Sequence, residues 1–145
     1  MEKMNKVYLL DTNIVSEFTK EYPNQNVLAL YEARKNMCAI SATSFQELVY
    51  GAEKMPDGKR KNSIANFVEN LRNNIDIIPY DGFAAEICGQ LSGQCAKEGN
   101  PLPYCDTQIA ATAIANGMIL VTHNTSDFEE AAERSFLRVE DWFQE

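Results

Sequence analysis

Four carboxylates stand where apolar runs of this chain stop or helix patterns begin. Asp11 ends the apolar run of "VYLLDTNIVSEF", and Asp127 follows another in "ILVTHNTSDF". Asp106 opens the helical pattern "PYCDTQIAATAIANG", and Glu47 lies in the first turns of "SATSFQELVYG". Each has an ordinary structural explanation. Asp11 and Asp127 suit turns, and Asp106 suits a helix N-cap. Glu47 with Ser44, and Glu129 with Ser126, have capping-box spacing. These explanations do not account for the joint placement. Carboxylates converging from four segments repel one another unless a cation lies between them. A hard divalent ion fits, because Mg²⁺ is held by one or two carboxylates together with waters and substrate phosphates. The chemistry such a site serves is phosphodiester hydrolysis. The ion polarises a phosphoryl oxygen, lowers the pKa of a bound water and steadies the leaving oxygen.

The elements that must position these acids alternate. Short apolar runs at 6–10, 37–41, 75–80 and 118–122 read as strands, with an edge strand over 136–142. Between them, apolar residues recur at helical spacing: from about 13 to 20 with Thr12 and Asn13 as caps, over 25–35, after Ser41, over 63–74, over 81–99, over 106–117 and from 127. Residues 55–62, "MPDGKRKN", read as a polar loop. Near-continuous apolar strands alternating with helices predict a three-layer α/β/α domain around a central, mainly parallel sheet, here a single domain over 1–145. Ligands of such sheets bind beyond the carboxyl ends of the strands at a topological switch point, which is where Asp11 falls.

Bulk composition narrows the function. The 145-residue chain carries a formal net charge of -8, which excludes a broad basic face for nucleic acid; a cluster of acids around metal ions reconciles that charge with a polyanionic substrate. No apolar stretch nears the roughly 20 residues of a membrane span, and the apolar run before Asp11 is too short for an export signal, so a cytoplasmic location without membrane contact is expected. Cys38, Cys88, Cys95 and Cys105 form no C-x-x-C pair and His123 is the only histidine, so neither zinc nor a disulfide framework is indicated. The cysteines, Cys105 included, read as small packed residues. Lys59, Arg60 and Lys61 form the one basic run, readable as a solvated loop or as a guide for phosphate, with Arg34, Lys35 and Arg72 as further cations.

In order and in type, "YLLDTNIVSEF", "SATSFQELVYG", "GNPLPYCDTQIAATAIANG" and "LVTHNTSDF", with the final "VEDW", resemble the PIN-domain ribonucleases, and among them the VapC-type toxins of bacterial toxin–antitoxin pairs. The resemblance covers almost the whole chain. It implies that Asp11, Glu47, Asp106 and Asp127 line one site dependent on Mg²⁺, with Mn²⁺ able to substitute, and that Asp11 and Asp106 are the more direct ligands. It implies that Thr122 and Asn124 form the T-x-N turn supporting the acids, with Thr12 and Asn13 holding the helix behind Asp11. His123 stands in that turn where such toxins often carry Arg, and with Lys59, Arg60 and Lys61 is a candidate RNA contact. The implied activity is endoribonucleolytic cleavage of structured RNA, tRNA being one target, which halts translation. The implied partners are a VapB-like antitoxin, for which Phe18, Tyr22, Phe45 and Tyr50 are readable either as the groove it covers or as core, and a second copy of the chain. Two alternatives stay open: a non-catalytic module repressing transcription with a DNA-binding partner, and a DNA-directed nuclease.

Overall fold

The computed structural model describes residues 6–144; the amino-terminal stretch read for an export signal lies partly outside them. The elements run β1 (Tyr8–Leu10), α1 (Thr12–Ser16) continued by a 3-10 turn (Glu17–Thr19), α2 (Gln25–Arg34), β2 (Cys38–Ser41), α3 (Ala42–Glu53), α4 (Lys59–Asn74), β3 (Asp76–Ile78), α5 (Gly82–Lys97), α6 (Tyr104–Ala115), β4 (Ile119–Val121), a 3-10 turn (Thr125–Phe128), α7 (Glu129–Arg134) and β5 (Arg138–Glu140). The five strands form one sheet in the order β3-β2-β1-β4-β5, and every pairing is parallel. The chain builds outward from β1 to β3 on one side and then returns to β1 with β4 on the other. The switch point therefore lies between β1 and β4.

Strand side chains alternate between two cores. Leu9, Ala39 and Leu120 pack on one face with Leu91, Ile109 and Phe128. Leu10, Ile40 and Val121 pack on the other with Ile14, Val15, Val27 and Trp142. Strands this short stay in place because both faces are buried; fully burying one Leu or Ile contributes about 1.5–3 kcal/mol. α6 delivers the chain into β4 through Gly117, at φ 63. The Met118 amide bonds the Ala113 carbonyl and the Gly117 amide bonds that of Ile114, a Schellman ending that a left-handed glycine permits.

Several local expectations are corrected. The cap of α1 is Asp11 itself, whose carboxylate accepts the Thr12 amide, and the regular helix stops at Ser16. The cap of α3 is Ser41, whose hydroxyl oxygen accepts the Ser44 amide at 3.0 Å, so no Ser44–Glu47 capping box forms. Asn124 precedes a 3-10 turn and α7 has no side-chain cap, so the Ser126–Glu129 box is also missing. α6 starts at Tyr104, which places Asp106 inside its first turn rather than at its cap. The basic run is the first turn of α4, not a loop. Cys88 and Cys95 are buried as expected, but Cys105 is exposed because it precedes the buried stripe of α6 that begins at Thr107. Phe18 and Phe45 pack against the core, whereas Tyr22 and Tyr50 are exposed. Among the described residues, no helix is long and apolar enough to cross a membrane.

Candidate active site

Asp11 leaves β1 at the switch point and is 5% exposed. Its backbone amide reaches across the sheet to the Val121 carbonyl at 2.8 Å, locking the strand end against β4. Its Oδ1 accepts the Thr12 amide at 2.8 Å. Its Oδ2 accepts the Thr122 hydroxyl at 2.8 Å and the Asn13 side-chain amide at 3.3 Å. Asn13 also donates to Thr122 Oγ1 at 3.2 Å, and its own carbonyl oxygen accepts the His123 backbone amide at 3.1 Å. The Asn124 amide donates to Thr122 Oγ1 at 3.1 Å. The T-x-N turn and the start of α1 are thus one hydrogen-bonded unit around the Asp11 carboxylate. Burial pushes the Asp11 carboxyl above its ordinary value; the Thr122 and Thr12 hydrogen bonds oppose this, while the charges of Glu47 and Asp127 add to it.

Glu47, not engaged in capping α3, accepts the Thr12 hydroxyl on Oε1 at 2.7 Å, so Thr12 ties α1 to α3 beside Asp11. Thr43 in the same helix donates to Gln108 of α6 at 3.1 Å, joining α3 to the helix that carries Asp106. The Asp106 carboxyl is pushed up to about 6, first by burial and then by the negative charges of Asp11, Asp127 and Glu47. All four sequence-predicted acids therefore act on one another across the strand ends. Asp127 is the most open of them, lying exposed on the turn after β4 and lining a small crevice with Asp106.

None of these four carboxylates takes part in an ion pair among the described residues, although nine ion pairs occur elsewhere. The donor set is all oxygen, which suits a hard cation such as Mg²⁺. No three His, Cys, Asp or Glu side chains among the described residues stand close enough to hold an ion as they are. A small octahedral ion that keeps several waters needs only one or two carboxylates directly.

The cations distribute unevenly. Arg60 lines a cleft of about 230 Å³ together with Thr12, Glu47, Leu48, Met55 and Phe67, and is the member of the basic run that shares a cleft with one of the acids. Its guanidinium also bonds the Thr19 carbonyl at 3.2 Å. Lys61 is turned to the Glu53 carbonyl and Asp57. Arg34 lies over the rings of Tyr8 and Trp142 and against Glu140, Lys35 pairs with Glu32, and Arg72 with Glu69, so none of these three is brought to the acids.

Sequence reasoning missed Glu17. It is 3% exposed, accepts the Asn24 amide at 2.8 Å and pairs with Lys20 at 2.8 Å. Burial works to raise its carboxyl, but the Lys20 and Asn24 bonds prevail and it sits below its ordinary value, helped by the nearby His123. The partnership of His123 with Asp141 was also missed. Glu17 and Lys20 stand at i,i+3 spacing, a local charge pattern that could have found the pair, whereas His123 and Asp141, 18 residues apart, carried no local signal.

The PIN domain family matches residues 8–134. The tRNA(fMet)-specific endonuclease VapC of Shigella flexneri is 35% identical over 135 residues, covering 93% of this chain and 97% of that protein. The VapC ribonuclease Y4jK of Sinorhizobium fredii is 35% identical, covering 85% of this chain and 91% of its own. Among solved structures, DNA-bound VapBC from Salmonella typhimurium superposes with a TM-score of 0.80 at 29% identity over 96% of this chain and 99% of that one. FitAB bound to an IR36 DNA fragment gives 0.82 at 27% identity over 96% and 97%. With matches this complete and the acids gathered at the switch point, the chain belongs to the PIN-domain family, in its VapC branch.

Proposed function

We propose that the chain is a metal-dependent endoribonuclease toxin that hydrolyses RNA phosphodiester bonds, tRNA among its substrates, and so inhibits translation until a VapB-like antitoxin covers its site. The observation that carries this is the unneutralised set of carboxylates, with Asp106 pushed up to about 6 in the company of Asp11, Asp127 and Glu47. Asp11 and Asp106 would hold a Mg²⁺ or Mn²⁺ ion most directly, and Glu47 and Asp127 would complete its surroundings. When bound, the ion supplies Lewis acidity and an activated water. The chain's own work is orientation. Thr122, Asn13 and the Thr12 amide fix the Asp11 carboxylate, and the Thr12 hydroxyl fixes Glu47. Arg60, on the Glu47 side, offers a charge to the RNA backbone, with Lys59 and Lys61 beside it on the first turn of α4.

The relatives' names support RNA as substrate and tRNA as a target. The solved relatives are toxin–antitoxin complexes, which supports an antitoxin for this chain and hetero-oligomers with it. The apolar cleft joining Thr12, Glu47 and Phe67 is where an antitoxin segment would lie, within reach of the acids for a basic side chain. A homodimer and a cytoplasmic location belong to the same reading. Relatives bound to DNA as VapBC and FitAB support a second role for such a complex on promoter DNA, with the antitoxin as the DNA-binding partner.

Asp11→Asn and Asp106→Asn should each abolish RNA cleavage by the purified chain and growth arrest on induction, and EDTA should abolish cleavage by the parent. Cleavage that survives either substitution or EDTA refutes the reading. Single-stranded DNA cut as fast as RNA would make the chain a DNA-directed nuclease instead.

A further inference from the structure

His123 is exposed, yet it is held on three sides. Its ring stacks on Phe143 with centroids 3.8 Å apart and planes at 23°. Its Nδ1 lies 3.3 and 3.2 Å from the two carboxylate oxygens of Asp141. Asp141 is itself fixed, its side chain 8% exposed and its Oδ1 accepting the Phe143 amide at 2.9 Å. The His123 backbone amide is bound to Asn13, which also binds Asp11. A surface imidazole ordinarily samples several rotamers, and here the Phe143 stack and the Asp141 carboxylate offset the entropy of holding one. The Nε2 atom, on the far side of the ring from Asp141, has no hydrogen-bond partner among the described residues, and the side chain is 51% exposed.

Asp141 decides what Nε2 can do. A carboxylate only accepts, so the proton shared with it resides on Nδ1, and in the uncharged ring Nε2 then presents a lone pair. A lone pair repels phosphate oxygens and suits a hydroxyl. Hydrolysis by a metal-activated water does not use the ribose 2′-hydroxyl as nucleophile, so a preference for RNA over DNA must come from a binding contact, and the 2′-hydroxyl is the group that distinguishes them. His123 directly follows Thr122, whose hydroxyl bonds Asp11, and its backbone amide is held by Asn13, which also binds Asp11, so the residue adjoins the acid site.

We propose that His123 accepts the 2′-hydroxyl of a ribose beside the scissile phosphate at Nε2, and that Asp141 is the positioning residue that holds the proton on Nδ1. This rests on the endoribonuclease reading, and the test separates the two. Binding is measured on the Asp106→Asn background by fluorescence anisotropy, with a degenerate RNA oligonucleotide pool and its DNA counterpart as ligands. RNA should bind about tenfold tighter than DNA, the worth of one hydrogen bond. His123→Ala should bring RNA down to the DNA level and leave DNA binding unchanged. Asp141→Asn, which can donate to Nδ1 and move the ring proton to Nε2, should also erase the preference while near-ultraviolet circular dichroism stays native. In parallel, cleavage by the unmodified chain is followed on an RNA with single 2′-deoxy replacements around its mapped cut. One position should lose about tenfold in kcat/KM, and His123→Ala should be insensitive to that replacement. Equal loss of RNA and DNA binding on His123→Ala, or an intact RNA preference, overturns the proposal. A ribose preference that depends on His123 in a chain that cuts no RNA with Mg²⁺ or Mn²⁺ would sink the nuclease reading and keep this contact.

Discussion

Replacing Asp106 with asparagine should make the metal-free protein more stable while destroying its activity. Asp106 is pushed up to about 6 from 3.8 by burial and by Asp11, Asp127 and Glu47. The folded state thus holds this proton more tightly than the unfolded chain does. The unfolded chain binds fewer protons between about pH 4 and 6, so stability falls as pH rises through that window and the cost is complete above it. A rise of roughly two pKa units corresponds to about 3 kcal/mol. Asp106 is only partly buried, and solvent screening brings this to about 1–2 kcal/mol. The Asp106→Asn side chain keeps the shape and loses the charge. For a chain of this length the unfolding entropy is on the order of 300 cal/mol/K, so Tm should rise by about 3–6 °C in EDTA at pH 7.5. Thermal melts by circular dichroism across pH 4 to 8 provide the assay. The advantage of the variant should be largest above pH 6 and disappear near pH 4, where the parent's Asp106 no longer carries the full cost of its charge. Added Mg²⁺ should reverse the ranking, because an ion that binds only the folded parent stabilises it by mass action. A variant no more stable than the parent in EDTA, or an advantage that does not change with pH, refutes the claim that these carboxylates strain one another.

Thr122→Val, nearly isosteric, removes the hydroxyl that donates to Asp11 Oδ2 and accepts from Asn13 and the Asn124 amide. Chemical denaturation should show a loss of about 1–3 kcal/mol from the unsatisfied groups, and cleavage should fall about 10–100-fold, the range for partners that orient metal ligands; unchanged cleavage would show that Asp11 needs no such support. Arg60→Ala should weaken RNA binding in a sequence-independent manner and reduce the slope of log K against log salt by about 0.7, one phosphate contact on a single strand, whereas Lys61→Ala, whose parent ammonium is turned to Glu53 and Asp57, should leave the slope nearly unchanged.

How much of this was legible in the sequence depends on range. The strands were legible because both faces of a buried parallel strand are apolar, and the acids because each ends a run or starts a helix. What escaped was decided by competition or by distance. Ser41 and Ser44 both stand where the same helical pattern starts, and spacing alone favours Ser44 as the cap because of Glu47, although the helix already begins at Ala42. In the structure Ser41, the last residue of β2, takes the Ser44 amide, and Glu47 turns to Thr12 of α1 instead. The basic run looked like loop by composition, with Pro, Gly and polar residues around it. It forms the first turn of α4, whose Val68 and Leu71 are buried, and in that turn Lys61 bonds the Glu53 carbonyl and Arg60 the Thr19 carbonyl. His123 and Asp141 are 18 residues apart and meet only because β5 lies beside β4.

The electrostatics of the site also bear on how such a nuclease is controlled. Asp11 keeps a raised carboxyl even with the Thr122 and Thr12 bonds in place, because burial outweighs them. Hydrogen-bond donors alone therefore do not relieve the site, and a full positive charge does. A divalent ion and a guanidinium would each supply one, and of the four acids Glu47 lines the cleft that also holds Thr12 and Arg60. A basic side chain delivered by an antitoxin would gain the same relief of repulsion that the metal gains, so the two would exclude each other without any change of fold. On the metal-dependent reading, the same repulsion would favour both the ion and the basic group that displaces it.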